Sequence, residues 1–226
     1  MIAGETVSSV KSSDKDMRLI TRGNHYEIIS NGIFLMATYG GKSEIEMVED
    51  GLFYLSQNKL SDIKVLIAGL GVGYSLMPAV FDERVTQVDV VELEEEIIQW
   101  NNNYFQEYNQ GVLNSDKVRI ICGDIYDYLN DNLSHNQVEY DLIILDVDNG
   151  PDWLVRANNS RLYERDGLSL LKKNLSDSGY AAIWSMTQKD SFEKALLEQF
   201  EFVFIRHYMT TDSKGRYYRY PVYFAS

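Results

Sequence analysis

The chain has 226 residues, which suits one α/β domain with a small N-terminal appendage and is too short for two large domains. Its 34 acidic residues outnumber its 21 basic residues, and a formal net charge of −13 with scattered Lys and Arg argues against binding to nucleic acid. Because Cys122 is the single cysteine and no apolar run is long enough for a membrane span, we expect no disulfide, no metal site, no membrane insertion and a cytoplasmic location.

The N-terminal part of the chain predicts a β-hairpin followed by a helix. The first twenty or so residues are polar, and we expect them to be loose. Two β-rich runs, His25–Ser30 and Ile33–Tyr39, flank Asn31-Gly32, a dipeptide typical of two-residue hairpin turns. Apolar residues then recur at helical spacing from Ser43 to Gln57. We assign residues 1–60 to this small appendage.

From Lys64 onwards, strands alternate with helices. Runs such as 65–68 and 142–145 are continuously apolar, which is typical of strands buried on both faces of a parallel sheet. After Phe200 the alternation ends in two β-like runs joined by a polar turn over 211–215, which predicts an antiparallel hairpin. The predicted strands are Lys64–Gly69, Arg84–Glu92, Lys117–Cys122, Tyr140–Asp146, Tyr180–Ser185, Phe202–Tyr208 and Tyr217–Phe224, and the predicted helices are Tyr74–Phe81, Glu94–Tyr108, Ile125–Leu133, Arg161–Leu175 and Lys189–Phe200.

Residues 61–226 therefore predict a Rossmann-like, seven-stranded and mostly parallel α/β sheet with an antiparallel C-terminal hairpin. Gly69, Gly71 and Gly73 follow its first strand and precede a helix. Glycines there let the backbone approach a ligand closely, although a tight turn that binds nothing is the alternative. Tyr74 stands where a dinucleotide fingerprint needs Gly or Ala, so the spacing favours S-adenosylmethionine or a relative over NAD.

Two acidic residues at successive strand ends complete the pattern of a nucleoside site. Glu92 ends the second strand of the sheet, where its carboxylate would accept hydrogen bonds from both ribose hydroxyls. Asp124 follows the third strand, where its carboxylate would accept from the adenine amino group. Each acid alone has an ordinary explanation, and Asp124 in particular would also cap the helix that follows it.

With these residues the chain resembles the class I S-adenosylmethionine-dependent transferases, and among them most closely the spermidine synthase family of aminopropyltransferases. The resemblance runs from about Gly32 to Trp184. It implies a methyltransferase-like sheet, S-adenosylmethionine or its decarboxylated form as cofactor, and transfer of a methyl or aminopropyl group to a small amine. The segments that carry it are Asn31-Gly32-Ile33, Glu46-Met47, Gly69–Tyr74, Val91-Glu92-Leu93, Gly123-Asp124, Asp146–Pro151, Leu162-Tyr163 and Leu170-Leu171.

The chain departs from the family pattern at the positions that bind the amine groups of the cofactor and of the substrate. Val72 stands in place of the aspartate that holds the cofactor's amine, and Glu44 and Ile45 replace a substrate-side Tyr and His. The loop Asp146–Pro151 is one residue longer. The cofactor half of the pattern is present and the polyamine half is absent, so a transferase with an unknown amine acceptor is expected. The alternative is a non-catalytic nucleoside-binding or scaffold protein with the same fold.

The fourth parallel strand ends in the predicted catalytic residues. Ligands of open parallel sheets lie outside the carboxyl ends of the strands, and Asp146 resembles the family's catalytic aspartate, which would take a proton from the attacking amine. Asp148 is predicted to share this work, with an Asx-type turn through Asn149 as the alternative. Glu44 would attract the ammonium of the substrate or lie on a solvated helix face. Trp153 would line the substrate pocket or pack in the core, and we leave a homodimer open.

Overall fold

The computed structural model describes residues 4–12, 15–57, 61–136, 138–211 and 216–226. Its strands are β1 (Glu5–Lys11), β2 (Asp16–Arg22), β3 (His25–Ser30), β4 (Ile33–Ala37), β5 (Ile63–Ala68), β6 (Val85–Glu92), β7 (Val118–Cys122), β8 (Tyr140–Leu145), β9 (Leu175–Trp184), β10 (Val203–Thr211) and β11 (Tyr217–Ala225). Its helices are α1 (Lys42–Leu55), α2 (Leu76–Phe81), α3 (Glu95–Trp100), α4 (Ile125–Asp131), α5 (Ser160–Tyr163), α6 (Arg165–Lys173) and α7 (Asp190–Leu197).

The N-terminal part is a four-stranded antiparallel sheet in the order β1-β2-β3-β4. The predicted hairpin of β3 and β4 is present, and Asn31 and Gly32 at its turn have φ angles of 50° and 81°. The expectation that the first twenty residues are loose was wrong, because β1 and β2 extend this hairpin. Met17 and Leu19 of β2 are buried on alternate positions, but so short an alternation among polar residues is a weak signal in the sequence.

The second sheet confirms the predicted architecture. Its seven strands lie in the order β10-β11-β9-β8-β5-β6-β7. The strands from β9 to β7 are parallel, whereas β11 runs antiparallel to both β9 and β10. All residues of β8 are buried, as its continuous apolar run predicts. The predicted turn before β11 lies, at 212–215, outside the described residues.

Two predicted helices are interrupted in the structure. The helix expected over 94–108 is α-helical only as α3 and continues as a π-helix at Asn101–Phe105. Asn101 lies at this change, and its side-chain amide donates to the carbonyl groups of Ile97 and Gly71, so the wider turn serves a tertiary contact. The helix expected over 161–175 is divided at Glu164, whose ψ angle of 169° is extended.

The order of the strands places the ligand-binding edge between β5 and β8. The chain crosses to the other side of β5 here, so the loops after these two strands diverge and leave a crevice. The N-terminal sheet and the start of α1 lie over the same edge, where Trp184 Nε1 donates to Ser43 Oγ at 3.2 Å. Among the described residues, no helix is both long and apolar enough to span a membrane. The division into 1–60 and 61–226 stays a prediction.

One buried carboxylate connects three strands of the larger sheet. Asp89 on β6 is 0% exposed. Arg119 on β7 donates to both of its oxygens, at 2.9 Å and 2.7 Å. The hydroxyl of Tyr140 on β8 reaches past β5 and donates to the same carboxylate at 2.6 Å. Since Tyr140 is the first residue of β8, this cluster ties the start of β8 to the middle of β6 and to β7.

Replacing Asp89 by alanine should lower the free energy of unfolding by about 3 kcal/mol, because the buried hydroxyl and the guanidinium both lose their acceptor. Urea denaturation of the variant measures this. The matched control is Asp116→Ala, an exposed position at which we expect a change of less than about 0.5 kcal/mol. Equal stabilities of the two variants would show that the cluster does not hold the strands.

Candidate active site

A pocket opens at the carboxyl ends of β5, β6, β7 and β8, covered by the N-terminal sheet and by the loop 149–159. It brings together most of the residues predicted from sequence and leaves out Gly73 and Trp153. The predicted residues that line it are Glu44, Gly69, Gly71, Glu92, Asp124, Asp146 and Asp148, and further lining residues are Ile28, Leu35, Met36, Ser75, Glu94, Ile125, Arg156, Asn159 and Trp184.

The glycine-rich turn forms the floor of this pocket. Gly69, Gly71 and Gly73 have φ angles of 94°, 53° and 92°, which favour glycine. A Cβ on Gly69 would overlap the main-chain oxygen of Asp146, so the ends of β5 and β8 can approach only with glycine here. Gly73 instead faces the side chains of Asn101 and Asn109, which follow α3, and its role is in the turn rather than in the pocket.

Glu92 connects two segments of the pocket wall. One of its oxygens accepts from the N–H of Leu70 at 2.8 Å, and the other accepts from the N–H of Glu94 at 2.9 Å. Burial raises the pKa of Glu92, and backbone hydrogen bonds, including one from Gly71, oppose the rise. The carboxyl group is therefore held at the junction of the glycine-rich turn and α3, and it still has lone pairs for a ligand hydroxyl.

Asp124 is both a helix cap and a member of the pocket wall. Its Oδ1 accepts from the N–H of Tyr126 at 2.8 Å, as the capping alternative predicts. Its Oδ2 pairs with Nη2 of Arg161 at 2.8 Å, and this guanidinium also lies 4.3 Å from the ring centroid of Tyr126. These contacts hold the carboxylate in one orientation at the edge of the pocket.

The carboxyl groups of Glu44 on α1 and Asp146 after β8 lie in the part of the pocket away from Asp124. Burial raises the pKa of Asp146 well above its usual range, and the charges of Glu44 and Asp148 add to this rise. Asp146 accepts no side-chain hydrogen bond from the part of the chain that the structure describes. Burial also raises the pKa of Glu44, which accepts from Ser43 Oγ at 2.6 Å. Glu44 therefore lies at the pocket rather than on a solvated helix face.

Asp148 is engaged in a different way from Asp146. Its carboxylate accepts from the N–H of Val155 at 2.6 Å, from Asn159 Nδ2 at 2.9 Å and 3.1 Å, and from the Tyr163 hydroxyl at 3.1 Å. Burial raises the pKa of Asp148 while these hydrogen bonds lower it. With both oxygens occupied, Asp148 anchors the loop 149–159, a role closer to the turn-forming alternative than to an unpaired base.

Trp153 does not line the pocket, because the loop turns its side chain outward. Hydrogen bonds from Asn149 N to Trp153 O and from Trp153 N to Gly150 O, both of 3.1 Å, close a tight turn. The indole is 59% exposed. The exposed Trp153 side chain therefore neither lines the pocket nor packs in the core, the two positions expected from the sequence. Its direction depends on where the turn begins and ends within the loop, which the sequence does not specify.

Several residues at the site had no signal in the sequence. Arg156 lines the pocket and pairs with Glu94, which follows a different strand. The ring of Tyr74 packs against Gly41 at the start of α1, and its hydroxyl donates to Thr38 O at 2.6 Å. Burial raises the pKa of Tyr74 to about 12, so this donor stays protonated. The tyrosine that does not fit a dinucleotide fingerprint thus positions the helix that carries the pocket's glutamate.

The residues of the pocket fit a nucleoside with an attached chain. Gly69 and Gly71 line the pocket without side chains, and the carboxylates of Glu92 and Asp124 line it at the ends of β6 and β7, where hydroxyl and amino groups of a nucleoside would donate to them. Across the described ranges, no group of three or more His, Cys, Asp or Glu side chains is arranged to hold a metal ion.

Comparison with known proteins gives the same picture. Residues 47–223 match the family model described as the spermine/spermidine synthase domain. Polyamine aminopropyltransferase 2 of Hyperthermus butylicus is 32% identical over 84 residues, which are 37% of this chain and 26% of that protein. The aligned regions span between 26% and 47% of the length of the curated relatives that the chain matches.

Solved structures share the fold over most of the chain. Spermidine synthase from Thermotoga maritima has a TM-score of 0.76 at 15% identity, covering 98% of this chain and 72% of that chain. Human methyltransferase-like protein 13 in complex with SAH has a TM-score of 0.60 at 18% identity, covering 81% of this chain and 79% of that chain. The predicted class I methyltransferase type of sheet is confirmed.

The anchoring role of Asp148 can be tested by proteolysis. Asparagine has one acceptor oxygen, so Asp148→Asn should lose at least one of the hydrogen bonds that hold the loop. We expect trypsin to cleave after Arg156 about fivefold faster, the effect of losing about 1 kcal/mol of local stability. The control Asp152→Asn lies on the same loop, where its side chain is exposed and pairs with Lys189. Equal cleavage of both variants would mean that Asp148 does not hold the loop.

Proposed function

This chain belongs to the spermine/spermidine synthase family, and on that premise we propose that it is a transferase. The donor would be S-adenosylmethionine or its decarboxylated form, the acceptor a small amine, and the transferred group methyl or aminopropyl. The observation that carries the proposal is Asp146, a half-buried carboxyl group that accepts no side-chain hydrogen bond from the described residues and lies where the strand order reverses.

The donor would lie along the strand ends, with its chain over the glycine-rich turn. Gly69 and Gly71 line the pocket without side chains, so the donor's chain would contact the backbone of the turn directly. Glu92 would accept hydrogen bonds from the ribose hydroxyls, and Asp124 would accept from the adenine amino group. When bound, the sulfonium supplies an activated alkyl carbon with a good leaving group, so no protein acid is needed there. A methyltransferase-like neighbour of known structure holds SAH, which supports this class of ligand.

The acceptor amine would enter at the end of the pocket that holds Glu44 and Asp146. An amine is protonated at neutral pH and must lose a proton before its lone pair can attack. Asp146 is the group to receive that proton, because its raised pKa makes it a stronger base than an exposed carboxylate. Glu44, held by the chain of hydrogen bonds from Trp184 through Ser43, would pair with an ammonium group and orient the amine.

The alternative of a non-catalytic nucleoside-binding or scaffold protein is not favoured. Such a protein would have no use for three neighbouring carboxyl groups in one pocket, since the repulsion between their charges destabilises the fold. The net charge of −13 also favours a cationic acceptor over nucleic acid. The homodimer and the cytoplasmic location stay predictions.

Asp146→Asn tests the proposed base. The amide cannot take up the proton, so kcat should fall by about 10²–10⁴-fold while donor affinity in calorimetry changes by less than about threefold. The control is Asp177→Asn, an exposed position on β9. Unchanged turnover would remove Asp146 from the mechanism. A protein that binds NAD but binds no sulfonium or thioether nucleoside would overturn the proposed function.

The pH dependence tests the charge of Glu44. The reaction needs ionised Asp146, so activity should rise with pH through the raised pKa of that group. Removing the neighbouring negative charge in Glu44→Gln should lower this pKa and move the acid limb of kcat/KM to lower pH. The KM for the amine should rise by about tenfold with the loss of one charge-assisted hydrogen bond.

The matched control is Glu49→Gln, an exposed position on the same helix α1. We expect its pH profile and its KM to equal those of the unmodified protein. An acid limb that stays in place in Glu44→Gln would show that Glu44 does not act on Asp146. An unaltered KM would return Glu44 to a purely structural role at the start of α1.

A further inference from the structure

The glycine-rich turn holds one N–H that, in the described chain, only a sulfur atom accepts. The N–H of Val72 lies 3.1 Å from Sδ of Met36, a residue of β4 that also lines the pocket. A thioether is a weak acceptor. The N–H groups of Leu70 and Gly73, by contrast, donate at 2.8 Å to oxygen atoms. The N–H of Val72 is therefore the least satisfied donor of the turn.

The buried Asn101 fixes the direction of this N–H, and the buried Asn109 holds the peptide that follows. The carbonyl oxygen of Gly71 accepts from Asn101 Nδ2 at 2.8 Å, and that of Val72 accepts from Asn109 Nδ2 at 3.1 Å. In a planar trans peptide the C=O and the N–H lie on opposite sides. Holding the Gly71 carbonyl on Asn101 therefore turns the Val72 N–H towards Met36, and the peptide cannot rotate to find a better acceptor without breaking that bond.

We propose that this N–H binds a carboxylate on the tail of the sulfonium donor, and that the thioether of Met36 holds its place until the donor displaces it. The inference rests on the proposed function, since it needs the donor's chain to lie over the turn. A carboxylate forms a charge-assisted hydrogen bond with an N–H, which is stronger than a bond to sulfur. The flexible methionine side chain can move aside, and Met36 Sδ now lies only 2.6 Å from where a Gly71 Cβ would be.

The carboxylate is the group that distinguishes S-adenosylmethionine from its decarboxylated form. Val72 is 0% exposed and uncharged, so its position supplies nothing that would bind the amine of a decarboxylated donor. The side chain that covers the turn, Met36, is uncharged as well. The turn thus discriminates in favour of S-adenosylmethionine, and the transferred group is then not aminopropyl.

Calorimetry with the full-length protein tests this inference. We expect S-adenosylmethionine to bind about tenfold more tightly than its decarboxylated form, the effect of one charge-assisted hydrogen bond. Equal affinities, or a preference for the decarboxylated form, would overturn the inference. Methylthioadenosine, which has the nucleoside but no charged tail, separates the two proposals. If methylthioadenosine binds and S-adenosylmethionine binds no more tightly than its decarboxylated form, only this inference is wrong. If none of the three ligands binds, the proposed function is overturned as well.

Variants of Met36 test its part in the discrimination. Met36→Gln places a strong amide acceptor near the N–H of Val72. It should lower the affinity for S-adenosylmethionine by about tenfold relative to the affinity for the decarboxylated donor. Met36→Leu removes the acceptor, keeps the shape, and should increase the preference for the carboxylate. Because the ratio of two ligands is measured, a general change in the pocket cancels. The control Met77→Gln, on α2 outside the pocket, should leave the ratio unchanged, and a ratio that neither Met36 variant alters would overturn the role of Met36.

Discussion

The site depends on a turn whose three glycines each allow a close approach by a different part of the protein. Gly69 packs on the main chain of Asp146, Gly71 on the thioether of Met36, and Gly73 on the buried asparagines that follow α3. A side chain at the first of these positions would collide with backbone, which cannot move as a flexible side chain can. The turn thus joins the end of β8, the N-terminal sheet and the segment after α3 at fixed distances.

Charge is distributed unevenly around that turn. Glu44, Asp146 and Asp148 contribute three carboxyl groups to one part of the pocket. Burial raises the pKa of Asp146, and the charges of the other two groups raise it further. The part next to Met36 offers an N–H donor and an uncharged thioether instead. This polarity suits the proposed reaction, in which a cationic acceptor would bind near the carboxyl groups and the donor's chain would lie on the turn.

Glu94 connects the two segments that cover the pocket, and Glu96 also pairs with Lys15. Glu94 pairs with Lys15 at 2.6 Å and also with Arg156, which belong to the N-terminal sheet region and to the loop 149–159. The same loop is held from below by Asp148. Two segments that are distant in the chain are therefore tied to the residue before α3, at the wall of the pocket. Neither segment has a sequence motif that predicts this contact.

The sequence by itself determined the sheet and the residues at its edge. Continuous apolar runs fix buried parallel strands, and because the carboxyl ends of parallel strands meet at one edge, Gly69, Glu92, Asp124 and Asp146 had to lie near one another. The structure alone decided which of the remaining residues reach the pocket. Asp148 anchors the loop, Trp153 faces solvent, and Met36 covers the turn from 36 positions away. Those outcomes depend on how separate segments pack against each other, and local sequence patterns carry no information on such long-range contacts.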